Sequence, residues 1–280
     1  MTLRLAYNTN GAANHRLDDA LALIAEAGYD GVALTLDHHH LDPYARDLTG
    51  RAQALAHRLN GLGLGAVIET GARYLLDPRM KHEPTLVSPE PEGRERRLDF
   101  LYRCVEVAGT LDAEAVSFWA GVPREGVDRG EARRWLLEGV AKVAERAGDR
   151  GVVVALEPEP GMLVERLDDY AAVAKEVPGL KLALDTGHCL VTGERDPAEA
   201  VREFAGSTGT VSIEDMRRGV HEHLPFGEGE MDVSAVLSAL EETGFGGLVC
   251  VELSRESPRA HAAIPEAIAY LKHAERVVGT

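Results

Sequence analysis

Within the stretch KLALDTGHC, Lys181 to Cys189, two residues are of the types that hold metals or move protons. Asp185 ends an alternating apolar run and His188 follows three residues later, with Thr186 and Gly187 turning the chain between them. A carboxylate at the last position of a buried strand stands at the mouth of a parallel α/β fold, where such folds keep their chemistry. Other acids close similar runs: Asp37, Glu69, Glu157 after VVVAL, Glu214 after TVSI, and Glu252 within VEL. Imidazoles accompany them in the run His38, His39, His40 and in HEHLPFGEGEMD, which carries His221 and His223.

The elements that must position these groups alternate between short β-rich runs and amphipathic helical runs, eight times over. The spacing predicts strands at Leu3–Asn8, Val32–Asp37, Ala66–Glu69, Ala115–Trp119, Val152–Glu157, Lys181–Asp185, Thr210–Glu214 and Leu248–Leu253. Helical patterns such as Leu17, Leu21, Ile24 and Ala25 lie between them, several ending at a glycine such as Gly28 or Gly244. Strand starts recur about every 28 to 38 residues, the rhythm of a repeating βα unit. One longer interval holds an insertion after the third strand, Ala72 to about Arg94, expected to form a lid over the site. The segment GLGLGA, residues 61 to 66, precedes a strand instead of joining strand to helix, so it reads as a helix C-cap and tight turn, not a dinucleotide loop.

In a closed barrel, branched aliphatics pack outward on the helices and alternate positions face the axis. With Val154, Leu156, Leu182, Leu184, Val211, Ile213, Val249, Val251 and Leu253 outward, Glu157, Asp185, Ser212, Glu214 and Glu252 point inward. Asn8, Asp37, Glu69 and Trp119 join them at the C-terminal rim by the same alternation. Carboxylates packed within a few ångströms cannot all stay ionised without a cation or bound protons. A divalent metal is the simplest answer, and oxygen donors with one imidazole favour Mn²⁺, Mg²⁺ or Co²⁺ while admitting Zn²⁺. One of His38–His40 is placed to reach the rim. His221 and His223, alternate in an extended loop after the seventh strand, share a face and could both point at the site; their spacing is not that of the HExxH zinc helix.

Composition narrows the function. With 280 residues, 45% of them hydrophobic, the chain suffices for one large core and one domain, residues 1–280. The formal charge of −16 disfavours nucleic acid as a partner and leaves small molecules. Cys104, Cys189 and Cys250 are far apart and suggest neither disulfides nor a thiolate metal site. No signal segment or membrane span is legible, so a cytoplasmic protein is expected, with homo-oligomerisation left open.

With Glu157 after VVVAL, DTGH at 185–188, EDMRRGVHEHLPFGEGEMD at 214–232 and VEL at 251–253, the chain resembles the xylose-isomerase-like sugar isomerase/epimerase superfamily over nearly its whole length. That resemblance implies a single-domain α/β fold, the (β/α)8 TIM barrel, with a long loop after the third strand. It also implies one divalent ion held by acids of strands five, six and eight, here Glu157, Asp185 and Glu252, and by a histidine of strand seven. This chain has Ser212 in the histidine's place, in SIED, and a serine hydroxyl is a poor and short ligand. Three carboxylates plus water could hold the metal, Glu214, His221 or His223 could reach in, or metal binding could be weakened or isomerase activity lost.

By the same resemblance the reaction is proton transfer beside a carbonyl of a small sugar, keto-sugar or cyclitol through an enediolate, with Glu157 and Glu252 moving the proton. His188 would bond a substrate oxygen, Arg217 or Arg218 would clamp a distal group, and Trp119 and Glu69 would complete the substrate wall. A dehydratase or lyase using the same enediolate, and a non-catalytic barrel that lost its metal ligand, are the alternatives.

Overall fold

The computed structural model describes residues 2–278 and contains ten strands: β1 Arg4–Asn8, β2 Gly31–Thr35, β3 Gly65–Glu69, β4 Val116–Trp119, β5 Val154–Glu157, β6 Lys181–Asp185, β7 Thr208–Ile213, β8 Asp215–Arg217, β9 Val220–Leu224 and β10 Leu248–Val251. Eight of them close an all-parallel barrel in the order β1-β10-β7-β6-β5-β4-β3-β2, while β8 and β9 form a separate antiparallel hairpin. Nine helices alternate with them: α1 Leu17–Ala27, α2 Leu48–Leu62, α3 Pro91–Leu111, α4 Arg129–Gly148, α5 Leu167–Ala174, α6 Thr186–Thr192, α7 Pro197–Phe204, α8 Val233–Glu242 and α9 Ala260–Val278. The fold is therefore the expected TIM barrel. No helix among the described residues is long and apolar enough to cross a membrane.

Local sequence explains where the elements start and stop. Asp47, Asp128, Asp196 and Asp232 each accept a backbone N–H from the first turn of α2, α4, α7 and α8, satisfying donors the helix cannot. Gly63, in GLGLGA, closes α2 in the left-handed conformation at φ 69°, as a C-cap glycine does.

Strand alternation divides the interior in two. The outward branched residues, from Val154 and Leu156 to Val249 and Val251, merge with the helices into one continuous core. The axis is plugged separately by Ala6, Ala33, Val67, Ala115, Leu248 and Cys250. Every residue of the same parity further toward the C-terminal rim is polar or aromatic: Asn8, Thr35, Glu69, Trp119, Glu157, Asp185, Ser212 and Glu252. An apolar plug beneath a polar mouth fixes which end of the barrel can do chemistry.

The insertion after β3 has no regular structure until Pro91 opens α3, so the helix absorbs the last residues assigned to the loop. It is tied down instead of hanging free. Arg97 of α3, with 0% of its surface exposed, donates to the Thr70 carbonyl (3.0 Å), and the Ser88 hydroxyl donates to Glu83 (2.9 Å). Leu76, Thr85, Leu86, Val87 and Ser88 are buried. The segment is a packed wall beside the barrel mouth.

Candidate active site

A cavity of about 300 Å³ opens at the C-terminal mouth, a size suited to a small metabolite. Its floor and sides bring together Glu69, Trp119, Glu157, His188, His221, His223 and Glu252, all foreseen in the sequence, and add Asn10, Thr35, Glu159, Arg73, Lys81, His82, Ser254 and Arg255, which were not. A larger groove of about 520 Å³ beside α9, lined by Phe226, Arg259 and Tyr270 among others, shares none of these lining residues.

Asp185 ends β6 and is also the N-cap of α6, the helix that DTGHC begins. Its Oδ1 accepts the His188 N–H (3.0 Å), while Oδ2 is buried with no hydrogen-bond partner. Capping thus fixes the carboxylate, although Asp185 itself is not among the residues that line the cavity. His188 Nδ1 lies 2.9 Å from the Pro158 carbonyl, which can only accept, so this nitrogen carries the hydrogen. His188 Nε2 then meets His221 Nε2 at 3.1 Å. Burial disfavours a charged His188, but Asp185, Glu159 and Glu214 outweigh it and raise its pKa. Burial and the neighbouring imidazoles His188 and His223 push His221 down to about 4.

Beside Asp185 in register stands Ser212. Two residues on, just beyond β7, Glu214 has 0% exposure and both carboxylate oxygens lack a partner. His223 Nδ1, likewise buried and unpartnered, is 4.0 Å from Glu214 Oε2. Donor atoms of Asp185, Glu214 and His223 lie within 4.8 Å of one another, as do those of Glu157, Asp185 and His188, and of Glu159, His188 and His221. Burial and the Asp185 and Glu252 charges hold Glu214 well above the ordinary carboxylate range; burial, with Glu159, Asp185 and Glu252, does the same to Glu157. Asp185 is the counterpart: burial opposes its charge, yet His188 and His223 keep its pKa below normal. Buried acids and an imidazole with unpartnered oxygen and nitrogen atoms fit a divalent cation, which would satisfy them together.

The glycine of DTGH serves this arrangement. A Cβ on Gly187 would lie 2.2 Å from Glu214 Oε1 and 2.9 Å from Met216.

Across the mouth most of the polar groups bond one another, with Asn10 Oδ1 left unpartnered. The Asn10 amide donates to Glu252 Oε1 (2.9 Å). Thr35 Oγ1 lies 3.0 Å from Asn8 Oδ1 and 2.7 Å from Glu69 Oε2. One hydroxyl proton cannot serve two acceptors, so the chain is complete when Glu69 is protonated, donating to Thr35 while Thr35 donates to Asn8. Burial and the Glu252 charge raise the Glu69 pKa to about 7, in keeping with that state. Trp119, 5% exposed, is wedged between the buried Arg97 guanidinium (4.3 Å) and the His82 ring (5.3 Å).

Four expectations are corrected. Arg218 and Arg217 are exposed at the tip of the β8–β9 hairpin and do not line the cavity; Gly219, at φ 71°, turns the chain there. The cations at the rim are Arg73 and Lys81 of the β3 insertion and Arg255 after β10. Asp37 leaves the ring because its carboxylate turns to the His38 backbone N–H (2.6 Å) and ring (2.7 Å). None of His38, His39 and His40 lines the cavity, and His40 is buried, which lowers its pKa to about 4. Finally, His221 and His223 lie on a strand, β9, not a loop, and do share a face: their rings are 4.8 and 6.4 Å from His188. Asp215 holds that hairpin by accepting the N–H groups of Gly227 (2.8 Å) and Met231 (3.0 Å).

Comparison with known proteins agrees with the barrel fold. A family model for the xylose isomerase-like TIM barrel matches residues 21–274. A 2-oxo-tetronate isomerase of Cupriavidus necator is 28% identical over 263 residues, 89% of this chain and 90% of its own. An L-ribulose-5-phosphate 3-epimerase, UlaE, of Escherichia coli K12 is 23% identical over 248 residues, 88% and 84% of the two chains. Among solved structures, the IolI protein with a bound zinc superposes with a TM-score of 0.75 at 19% identity, covering 97% of this chain and 98% of that one.

Proposed function

The chain belongs to the xylose isomerase-like TIM-barrel family, and from that premise we propose that it is a divalent-metal-dependent isomerase or epimerase of a small hydroxy-ketone, moving a proton at the carbon beside the carbonyl. The observation that carries this reading is the pair Glu157 and Glu252, which enter one cavity from β5 and from the end of β10, strands separated in the barrel by β6 and β7. One carboxylate takes the proton and the other returns it, on a neighbouring carbon or the opposite face. Asn10 orients Glu252, so its free oxygen addresses the substrate. Burial raises the Glu157 pKa, which suits a group that must both accept and donate a proton near neutrality. His188 and His221 both line the cavity, and a substrate oxygen would take the place of one partner in their Nε2–Nε2 contact. Trp119 supplies a flat wall that excludes water.

Glu157 and Asp185, whose donor atoms lie within 4.8 Å of each other, would hold the ion together with Glu252, and the ion would polarise the carbonyl and stabilise charge developing on its oxygen. The distal end of the substrate is anionic. Arg73, Lys81 and Arg255 gather at the rim of a chain whose net charge is −16, and among the described residues neither Arg73 nor Lys81 has a carboxylate within 4.0 Å. The relatives named for a tetronate and a sugar phosphate have substrates of that kind.

Metal-loaded protein incubated in D₂O with a panel of small ketoses, 2-oxo sugar acids and ketose phosphates is expected to place deuterium beside the carbonyl of an acidic or phosphorylated member, read by NMR. No exchange with any member, metal being bound, overturns the reading.

A further inference from the structure

Ser212 and Asp185 are register partners on adjacent strands, and the Ser212 hydroxyl ends well short of where an imidazole would reach. Immediately around this gap lie buried oxygens and a nitrogen with nothing to bond: Asp185 Oδ2, both oxygens of Glu214, and His223 Nδ1. Left alone, each would cost the fold the desolvation of a polar or charged atom without compensation. Glu214 reaches in from the turn between β7 and β8, and His223 from β9, so both come from the hairpin that follows the altered strand. The local chain accommodates this: Gly187 leaves the volume that the Glu214 carboxylate occupies, and Asp215 pins the loop returning from β9.

We propose that Glu214 and His223 supply the coordination that Ser212 does not, so that the divalent ion is held around Asp185 by a carboxylate and an imidazole delivered from the β7–β9 segment. The inference rests on the metal-dependent reading above and assigns the residues that make it workable in this chain. Two oxygens and one imidazole nitrogen form a mixed donor set open to Mn²⁺, Co²⁺ or Zn²⁺. The competing arrangement on the same atoms is a carboxylic acid and carboxylate, Glu214 and Asp185, sharing a proton with no ion.

Mn²⁺ binding to the full chain, measured by titration calorimetry and by pulsed EPR for nitrogen coupled to the ion, separates the two. Wild-type protein is expected to bind about one equivalent with imidazole nitrogen coupling. His223→Gln should abolish the coupling and weaken binding at least about tenfold, and Glu214→Gln should weaken it similarly, with circular dichroism melts confirming that both fold. Adding S212H to either variant should restore affinity. Affinities of both variants within about twofold of wild type, or nitrogen coupling that persists in His223→Gln and disappears in His188→Asn, overturn the assignment. Wild-type protein that binds no Mn²⁺, Co²⁺ or Zn²⁺ also overturns it. The isomerase reading is then judged separately by deuterium exchange in chelator-treated protein, which would persist if the chemistry needs no ion.

Discussion

The two sides of the barrel mouth handle buried polar groups in opposite ways. Around β1, β2 and β3, Asn8, Asn10, Thr35 and Glu69 form a chain of hydrogen bonds that ends on Glu252. Around β5, β6 and β7, Asp185, Glu214 and His223 keep buried atoms unpartnered, and Glu157 and Glu214 have raised pKa values. Both sides are equally enclosed, so burial alone does not distinguish them. What differs is who completes the bonding. On the proposed reading, the first side is nearly completed by the protein's own hydrogen bonds and positions Glu252, and the second is completed by a cation whose binding offsets the cost in stability.

The comparison can be broken most sharply at Glu157, on the open side. Glu157→Gln should keep the fold and lower deuterium exchange about 10²–10⁴-fold, the range for losing a general acid–base group. Retention of exchange would move the proton transfer elsewhere in the cavity. On the finished side, Asn10→Ala frees Glu252 without removing it, and kcat should fall roughly 10–100-fold with little change in KM, because orientation and not binding is lost. A change confined to KM would make Asn10 a substrate contact instead.

Glu69 tests the hydrogen-bond chain through pH. Its pKa rises from 4.5 to about 7 in the fold, so between those values the folded protein retains a proton that the unfolded chain releases. The stabilising increment is full below pH 4.5 and is lost as pH rises toward 7. Urea unfolding of chelator-treated protein should show this as a decline of about 1–3 kcal/mol, flattened in Glu69→Gln. The smallest effect belongs to the exposed rim: Lys81→Met should raise KM for an anionic substrate by no more than about fivefold and leave neutral ketoses unaffected, a surface charge being worth about 1 kcal/mol or less.

Strand alternation made the barrel and most of its mouth legible. Outward Val154, Leu156, Leu182 and Leu184 required inward Glu157 and Asp185, and packing obeyed that rule down to the apolar plug. Legibility stopped where strands stop. Glu159 continues the parity of Glu157 beyond Pro158 and was passed over because the strand had ended. The role that the resemblance implies for Arg218 does not fit its place: the alternation of VHEHL behind a glycine is the signature of a hairpin, whose tip carries Arg218 out to an exposed position away from the cavity. Arg73, Lys81 and His82 come from an irregular segment whose path is set by tertiary anchors such as Arg97, and no periodicity reports such anchors.

Gly187 carries a consequence for how this sequence can change over time. Its glycine identity comes from clearance, since the space a methyl group would fill already holds the Glu214 carboxylate. The two positions are therefore locked into a single historical choice. A lineage that fills 187 must first shorten 214, and one that shortens 214 gives up a candidate ligand unless a histidine already stands at 212. The order of those substitutions, and not only their identity, decides which intermediates along the path keep a working centre.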